Sequence, residues 1–350
     1  MHLKQSSILA ALAATAFVTA PRPSFAKHPA GAQLCTLGAD DVGKQGTLVC
    51  KNVLTGALTQ SIPVGTVAAA AGTIGGSLMS KGDRVLVTNQ VGGALLFRAL
   101  DGTLRSPVAL QTGGESSLSG ALNGHGAYVL TGTMLRFFPS GQTTAGSSQR
   151  LLLGDGSAAE VTLTDRYAYV SEKNGSLEAF PIGRDGNLAG PAATVTGLSA
   201  GVIVGITGSD DTVVAPIAHL ASNFGQAEID VAAGLAGTQH VPIKEVAACW
   251  AANEDGEACV SNPGSMTISC GQLGADGFES YTSAAANPVG ESMFDLDMRD
   301  GLVGLQAIHG GAPVLLTYSR GDGDFLSFVS EYPVGAAKAS GALLLPPMSR

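Results

Sequence analysis

Short runs of small and apolar residues, broken by polar turns, recur along this chain as one phrase: a small-residue run, a β-rich pair, then a turn of the Asp-Gly-x-Leu type. Its clearest copies are Ala127-Tyr128-Val129 running into Leu135-Arg136-Phe137, and Ala168-Tyr169-Val170 running through Asn174-Gly175 into Leu177-Glu178-Ala179-Phe180 and Asp185-Gly186-Asn187-Leu188. Aligning the middle residue of each first β run gives Leu86, Tyr128, Tyr169, Val214, Cys259 and Val303, a period of roughly 41 to 45 residues. That is the length of one four-stranded propeller blade, so the pattern predicts an all-β repeat fold.

The strands can be placed within each unit. The innermost strand of a blade crowds toward a narrow axis and should carry small side chains. Ser117 to Ala121, Ser157 to Val161, Gly201 to Gly205 and Ala247 to Ala251 fit that description. The next two strands form the hairpins above. The fourth follows the Asp-Gly turn, as in Leu104 to Leu110 and Leu188 to Val195. Units begin near residues 73, 116, 157, 201, 247 and 292, which gives six complete ones. The stretch 32–65 has hairpin signals without an inner strand, whereas Ser340 to Leu345 resembles the inner-strand run Gly75 to Met79. Joining the two completes a seventh blade and pairs sheet edges that would otherwise be exposed. The expected fold is a seven-bladed β-propeller of four-stranded blades, closed by the C-terminal strand.

Composition fits that picture. The 48 glycines in 350 residues are about twice the usual share and the 13% of charged residues about half of it, as expected for weakly charged strands joined by tight turns. With 45% apolar residues the chain can fill one large core. The N-terminus reads as an export signal: Lys4, the apolar run Ile8 to Ala20, then Ser24-Phe25-Ala26, with cleavage expected after Ala26. The apolar run is too short to span a bilayer. Residues 1–26 are thus a signal peptide, 27–350 a single domain, and the expected location is secreted or periplasmic. Removing the signal takes away two cations and no acid, leaving a formal charge of −11. So acidic a surface argues against nucleic acid or anionic membrane as partner. The protein is expected to be a monomer.

Five cysteines in an exported chain suggest disulfides and one spare thiol. Cys259 and Cys270 lie almost symmetrically about the turn Asn262-Pro263-Gly264, and Cys35 and Cys50 flank the turn Gly38 to Gly46. These make two pairs, with Cys249 free at a buried inner-strand position. Plain buried cysteines are the competing reading.

Other chemical signals are thin. His125 lies in an Asn-Gly-His-Gly turn, and His219, His240 and His309 are scattered without metal-ligand spacing. No Gly-x-Ser-x-Gly elbow occurs. Asp295, Asp297 and Asp300 miss the calcium-loop spacing and read as an inner strand entering its turn. Arg320-Gly321-Asp322 is first of all a turn sequence, Asn174-Gly175-Ser176 fits a glycosylation acceptor on an exposed hairpin, and Trp250 reads as a packing residue between blades. No metal or cofactor is expected.

The runs Phe97-Arg98-Ala99-Leu100-Asp101-Gly102-Thr103-Leu104, Tyr169-Val170-Ser171-Glu172-Lys173 followed by Phe180-Pro181-Ile182, and Ala247-Ala248-Cys249-Trp250 are arranged in an order and spacing that resemble the seven-bladed β-propeller lactonases. That family includes the propeller-type 6-phosphogluconolactonases and the 3-carboxymuconate cyclases, and the chain is similar to its secreted members over nearly its whole mature length. The resemblance implies opening or closing of a lactone ring in the central channel, which needs an acid or base near the ring oxygen and positive charge for the oxyanion. It also implies histidine and arginine on the inner strands, where this chain has Ala158, Val202 and Ile203, with Glu245 ahead of the Ala-Ala-Cys-Trp run. The cationic cluster is missing. Glu160 is the one ionisable residue within the inner-strand runs and the expected catalytic group, and Arg98, Arg136 and Lys173 are candidates to reach in from hairpins. A propeller that binds a ligand or protein without chemistry is the alternative.

Overall fold

Each copy of the repeated phrase folds as a four-stranded antiparallel sheet, because its glycine and Asn/Asp turns are too short to join strands in any other way. The computed structural model describes residues 31–69, 75–219, 226–274, 277–285, 292–320 and 326–347. Among them all regular elements are strands, and they form seven sheets of four. The inner strands are Leu78–Lys81, Ser117–Leu122, Ala158–Leu163, Thr207–Ser209, Trp250–Glu254 and Ser292–Arg299 for blades 2 to 7, and Lys338–Leu345 for blade 1. Each inner strand touches the next, and the last touches the first. The molecule is a seven-bladed β-propeller.

Closure follows the expected route. Lys338–Leu345 pairs antiparallel with Gln33–Ala39, which continues into Gln45–Asn52 and Leu58–Thr66, so both ends of the described chain lie in one sheet. Cys35 stands directly opposite Cys50, and Cys259 opposite Cys270; both pairs form disulfides and leave Cys249 as the free thiol.

Apolar residues do not gather in one core, contrary to the compositional reading. They divide into seven clusters, one at each junction between neighbouring blades, such as Leu48, Val85 and Phe97 between blades 1 and 2. The cause is geometric: a radial blade has neighbours on both faces, so its middle strands are buried on both. Gly126–Thr131 is accordingly buried at every position.

Three expected strands fall elsewhere. Blade 5's inner strand is Thr207–Ser209 and not Gly201 to Gly205. The earlier segment breaks away after Val202 bridges Ala218, because Gly205 packs against the Trp250 backbone and donates its N–H to the Cys249 carbonyl. In blade 6 the strand starts only at Trp250, since Ala247 takes a positive φ of 55° and turns the chain; Cys249 therefore precedes the strand and is only partly buried. Blade 4's outer strand shrinks to Ala193–Thr194, because Gly190-Pro191 interrupts it after Leu188 bridges Ile182. The signal segment 1–26 and residues 321–322 of the Arg-Gly-Asp run lie outside the described residues.

Candidate functional site

The seven inner strands enclose a cavity of about 530 Å³ on the propeller axis. It is bounded at one end by the starts of the inner strands, near Gly76, Glu160, Ile206 and Asp295. At the other end it opens between the turns that follow them, near Lys81, Asp165, Asp210 and Asp255.

Two carboxyl side chains form the floor. Glu160 lies next to a β-bulge, where Ala158 pairs with Glu172 but Glu160 pairs with Ser171 and Ala159 is left over. Asp295 occupies a second bulge, between the pairs Met293–Ala307 and Leu296–Leu305. A bulge re-aims the side chain it carries, and both carboxyls are directed at the same backbone. Gly76 donates its N–H to Asp295 Oδ2 at 3.0 Å, and a Cβ on Gly76 would fall 2.6 Å from Glu160 Oε1. The Gly75-Gly76 pair is required for that approach: a Cβ on Gly75 would lie 2.3 Å from Glu160 Oε2, and Gly76 has a φ of 58°. Glu160 Oε2 also accepts the Ile206 N–H at 2.9 Å. Trp250 packs beneath the floor, edge-on to Phe294 at 5.6 Å, as a residue between blades.

Both carboxyls are almost wholly buried, and neither faces a cation among the described residues. Burial raises the Glu160 pKa well above the ordinary carboxylate value, and the nearby Asp295 charge raises it further. Asp295 is pushed up to about 7, first by burial and then, against the opposing Gly76 hydrogen bond, by Asp297. Asp297, two residues on and lining the cavity wall, is pushed up to about 6 by burial and accepts the Leu344 N–H at 2.7 Å. The floor holds protons at neutral pH in groups that ordinarily have none.

Glu160 is thus where the sequence places it, but it is not the one ionisable residue on the inner strands. Lys81, Glu254, Asp295, Asp297, Arg299 and Lys338 also belong to them. The signal was available in the Asp-x-Asp run from residue 295, whose register could not be fixed without its bulge. Of the three cations, Lys338 is exposed and does not line the cavity, and the other two stay near the open end. Lys81 is exposed, and Arg299 Nη1 is bound to Ser80 Oγ at 3.3 Å and the Leu344 carbonyl at 3.1 Å. Neither meets the floor.

The three hairpin cations do not line the cavity. Arg98 is exposed on a third strand, 3.6 Å from Asp83. Arg136 is paired with Glu115 at 3.4 Å. Lys173 follows the second strand of blade 4, at the end where the inner strand begins, with its N–H on the Ser157 carbonyl. A cluster that sequence reading missed is Ser199, Asp230 and His240: the Ser199 hydroxyl and Asp230 Oδ1 lie 3.0 and 2.7 Å from His240 Nδ1. Because both meet the same ring nitrogen, no proton can be relayed from serine through imidazole to aspartate, and the cluster is not a nucleophilic triad.

No family model matches the chain, and no curated protein matches it significantly. Solved structures do. A putative 6-phosphogluconolactonase from Bacteroides fragilis is 13% identical with a TM-score of 0.61, the match covering 90% of this chain and 98% of that one. A protein from Lactobacillus plantarum is 14% identical, with a TM-score of 0.60 and coverage of 90% and 99%. The computationally designed Ika8 protein is 12% identical, with a TM-score of 0.54 and coverage of 91% and 95%. The likeness is one of fold. With 926 solved chains matching, the architecture alone does not select an activity. One of these fold neighbours bears a lactonase name, and what this chain does must be argued from its cavity.

Proposed function

We propose that this protein is an exported, lactonase-like propeller that opens a lactone ring in its central cavity, with Glu160 and Asp295 dividing the acid and base roles. The observation that carries this is the pair of buried carboxyls held by two separate bulges against Gly76. Two carboxyls whose environments push their titrations apart are suited to hold one proton and lack the other. The Asp295 charge raises the Glu160 carboxyl, so when one of the two is ionised Glu160 holds the proton and serves as the acid, with Asp295 as the base.

In the reaction, Asp295 takes a proton from a water molecule as the water oxygen attacks the lactone carbonyl carbon. Glu160 first donates a hydrogen bond to the carbonyl oxygen, in place of the missing cation, and then gives its proton to the ring oxygen as the acyl carbon–oxygen bond breaks. The product is a hydroxy acid, whose new carboxylate is repelled by the lining and leaves. Two disulfides, and the absence among the described residues of a helix able to cross a membrane, are compatible with work outside the cytosol.

One observation favours the other reading, a ligand-binding scaffold without chemistry: among the described residues no cation reaches the floor to balance an oxyanion. Assay of the mature protein on a panel of sugar lactones separates the two. Lactones without phosphate should be opened, with 6-phosphogluconolactone untouched because a phosphate dianion meets carboxylates there. Glu160→Gln should lower the rate by about a hundredfold or more. No turnover of any lactone, or full turnover by the variant, overturns the enzymatic reading.

A further inference from the structure

We infer that the ligand of the central cavity is positively charged, and that the lactone it takes carries a protonated amine on the ring or on a short side chain. The lactone half rests on the function proposed above; the charge rests on the lining alone. Above Glu160 and Asp295 the wall carries Asp297 and Glu254, and the opening carries Asp165, Asp210 and Asp255 on the turns that end three consecutive inner strands. Against these stand Lys81 at the exposed rim and Arg299, which is held on Ser80, Leu344 and Asp300 and offsets part of the Asp297 charge. A cleft walled by one sign of charge focuses its field and concentrates counter-ions of the other sign.

A second observation points to a ligand at this spot. Glu160 is only 4% exposed, yet its Oε1 accepts no hydrogen bond from the described residues, while Oε2 takes the Ile206 N–H. Glu160 lines a cavity of about 530 Å³, the size of a small-molecule site, from which a ligand donor can reach this oxygen. Asp295 and Asp297 alternate with Leu296 on one strand and both line the cavity. They are therefore spaced about 7 Å apart along it. A ring carbonyl at the floor leaves a substituent amine within reach of Asp297 and, on the neighbouring inner strand, Glu254.

The test uses lactones of one ring size carrying an ammonium, a hydroxyl or a carboxylate, together with their unreactive lactam analogues for calorimetric binding. At low salt the ammonium compounds should exceed the hydroxyl ones by about tenfold or more, both in kcat/KM and in lactam affinity. The preference should shrink as salt rises from about 20 mM to about 0.5 M. Asp297→Asn should lower the ammonium-to-hydroxyl ratio, a quantity that a merely misfolded fraction does not change. Turnover without charge preference overturns this inference and leaves the hydrolytic reading standing. Preferential binding of the ammonium lactam without turnover supports the charge and overturns the hydrolysis. Equal or absent binding with no turnover overturns both.

Discussion

At the scale of single residues, the cavity floor sets folding against function. Glu160 and Asp295 hold protons in the folded protein at pH values where the unfolded chain has lost them, as Asp297 does near 6 and Glu172 near 7. The folded state therefore binds more protons than the unfolded one, and stability falls as pH rises from about 4, the unfolded carboxylate value, through about 7, where Asp295 and Glu172 ionise, and on until Glu160 does. Melting temperature should thus be highest on the acid side of neutrality and decline to about pH 8. Asp295→Asn removes one of the groups responsible, so that variant should melt above the parent at about pH 8, converge with it near about pH 4.5, and lose lactone turnover. A parent whose melting temperature rises steadily to about pH 8 would contradict the buried pair. Glu160 was legible in the sequence because an acid stands out among Ala158, Ala159 and Val161. Its partner was not, because a two-residue alternation read through Asp295 ignores the bulge that turns it inward.

At the scale of strands and hairpins, legibility followed turn chemistry. Asn-Gly and Asp-Gly pairs marked where several hairpins reverse, and the cysteine positions about Asn262-Pro263-Gly264 and the turn Gly38 to Gly46 pointed to both disulfides. Inner strands were harder: several are three to six residues long and some carry bulges, so small-residue composition located them only to within a few positions, as at Thr207–Ser209 and Trp250–Glu254. The disulfides close loops with separations of 15 and 11 residues. Each should stabilise by about 3 kcal/mol on the chain-entropy account. Replacing either pair by alanines should lower the denaturant midpoint by that measure at unchanged slope. Cys249 should react slowly with iodoacetamide in the native protein and fast once unfolded, because burial pushes its thiol up to about 12. Rapid native alkylation would contradict this placement.

At the scale of the whole molecule, stability is divided among seven junctions arranged in a ring, so the ring depends on the one contact that is not sequential. The inner strand Lys338–Leu345 supplies Ala339, Ala342 and Leu344 to the junction of blades 7 and 1, and Leu343 and Leu345 to that of blades 1 and 2. It also forms part of the cavity wall at Ala342, holds Asp297 through the Leu344 N–H and anchors Arg299 through the Leu344 carbonyl. Deleting residues 338–350 should therefore do more than expose the edge of Gln33–Ala39. It opens two apolar junctions at once and takes down one side of the site. The truncated protein should melt well below the parent or appear as aggregate in size-exclusion chromatography, and whatever remains monomeric should have lost cavity binding. A truncated monomer that kept the parent's melting temperature would mean that blade 1 is stable on three strands and that closure contributes nothing. A monomer that melted early but still bound ligand would place the site away from the wall that this strand builds.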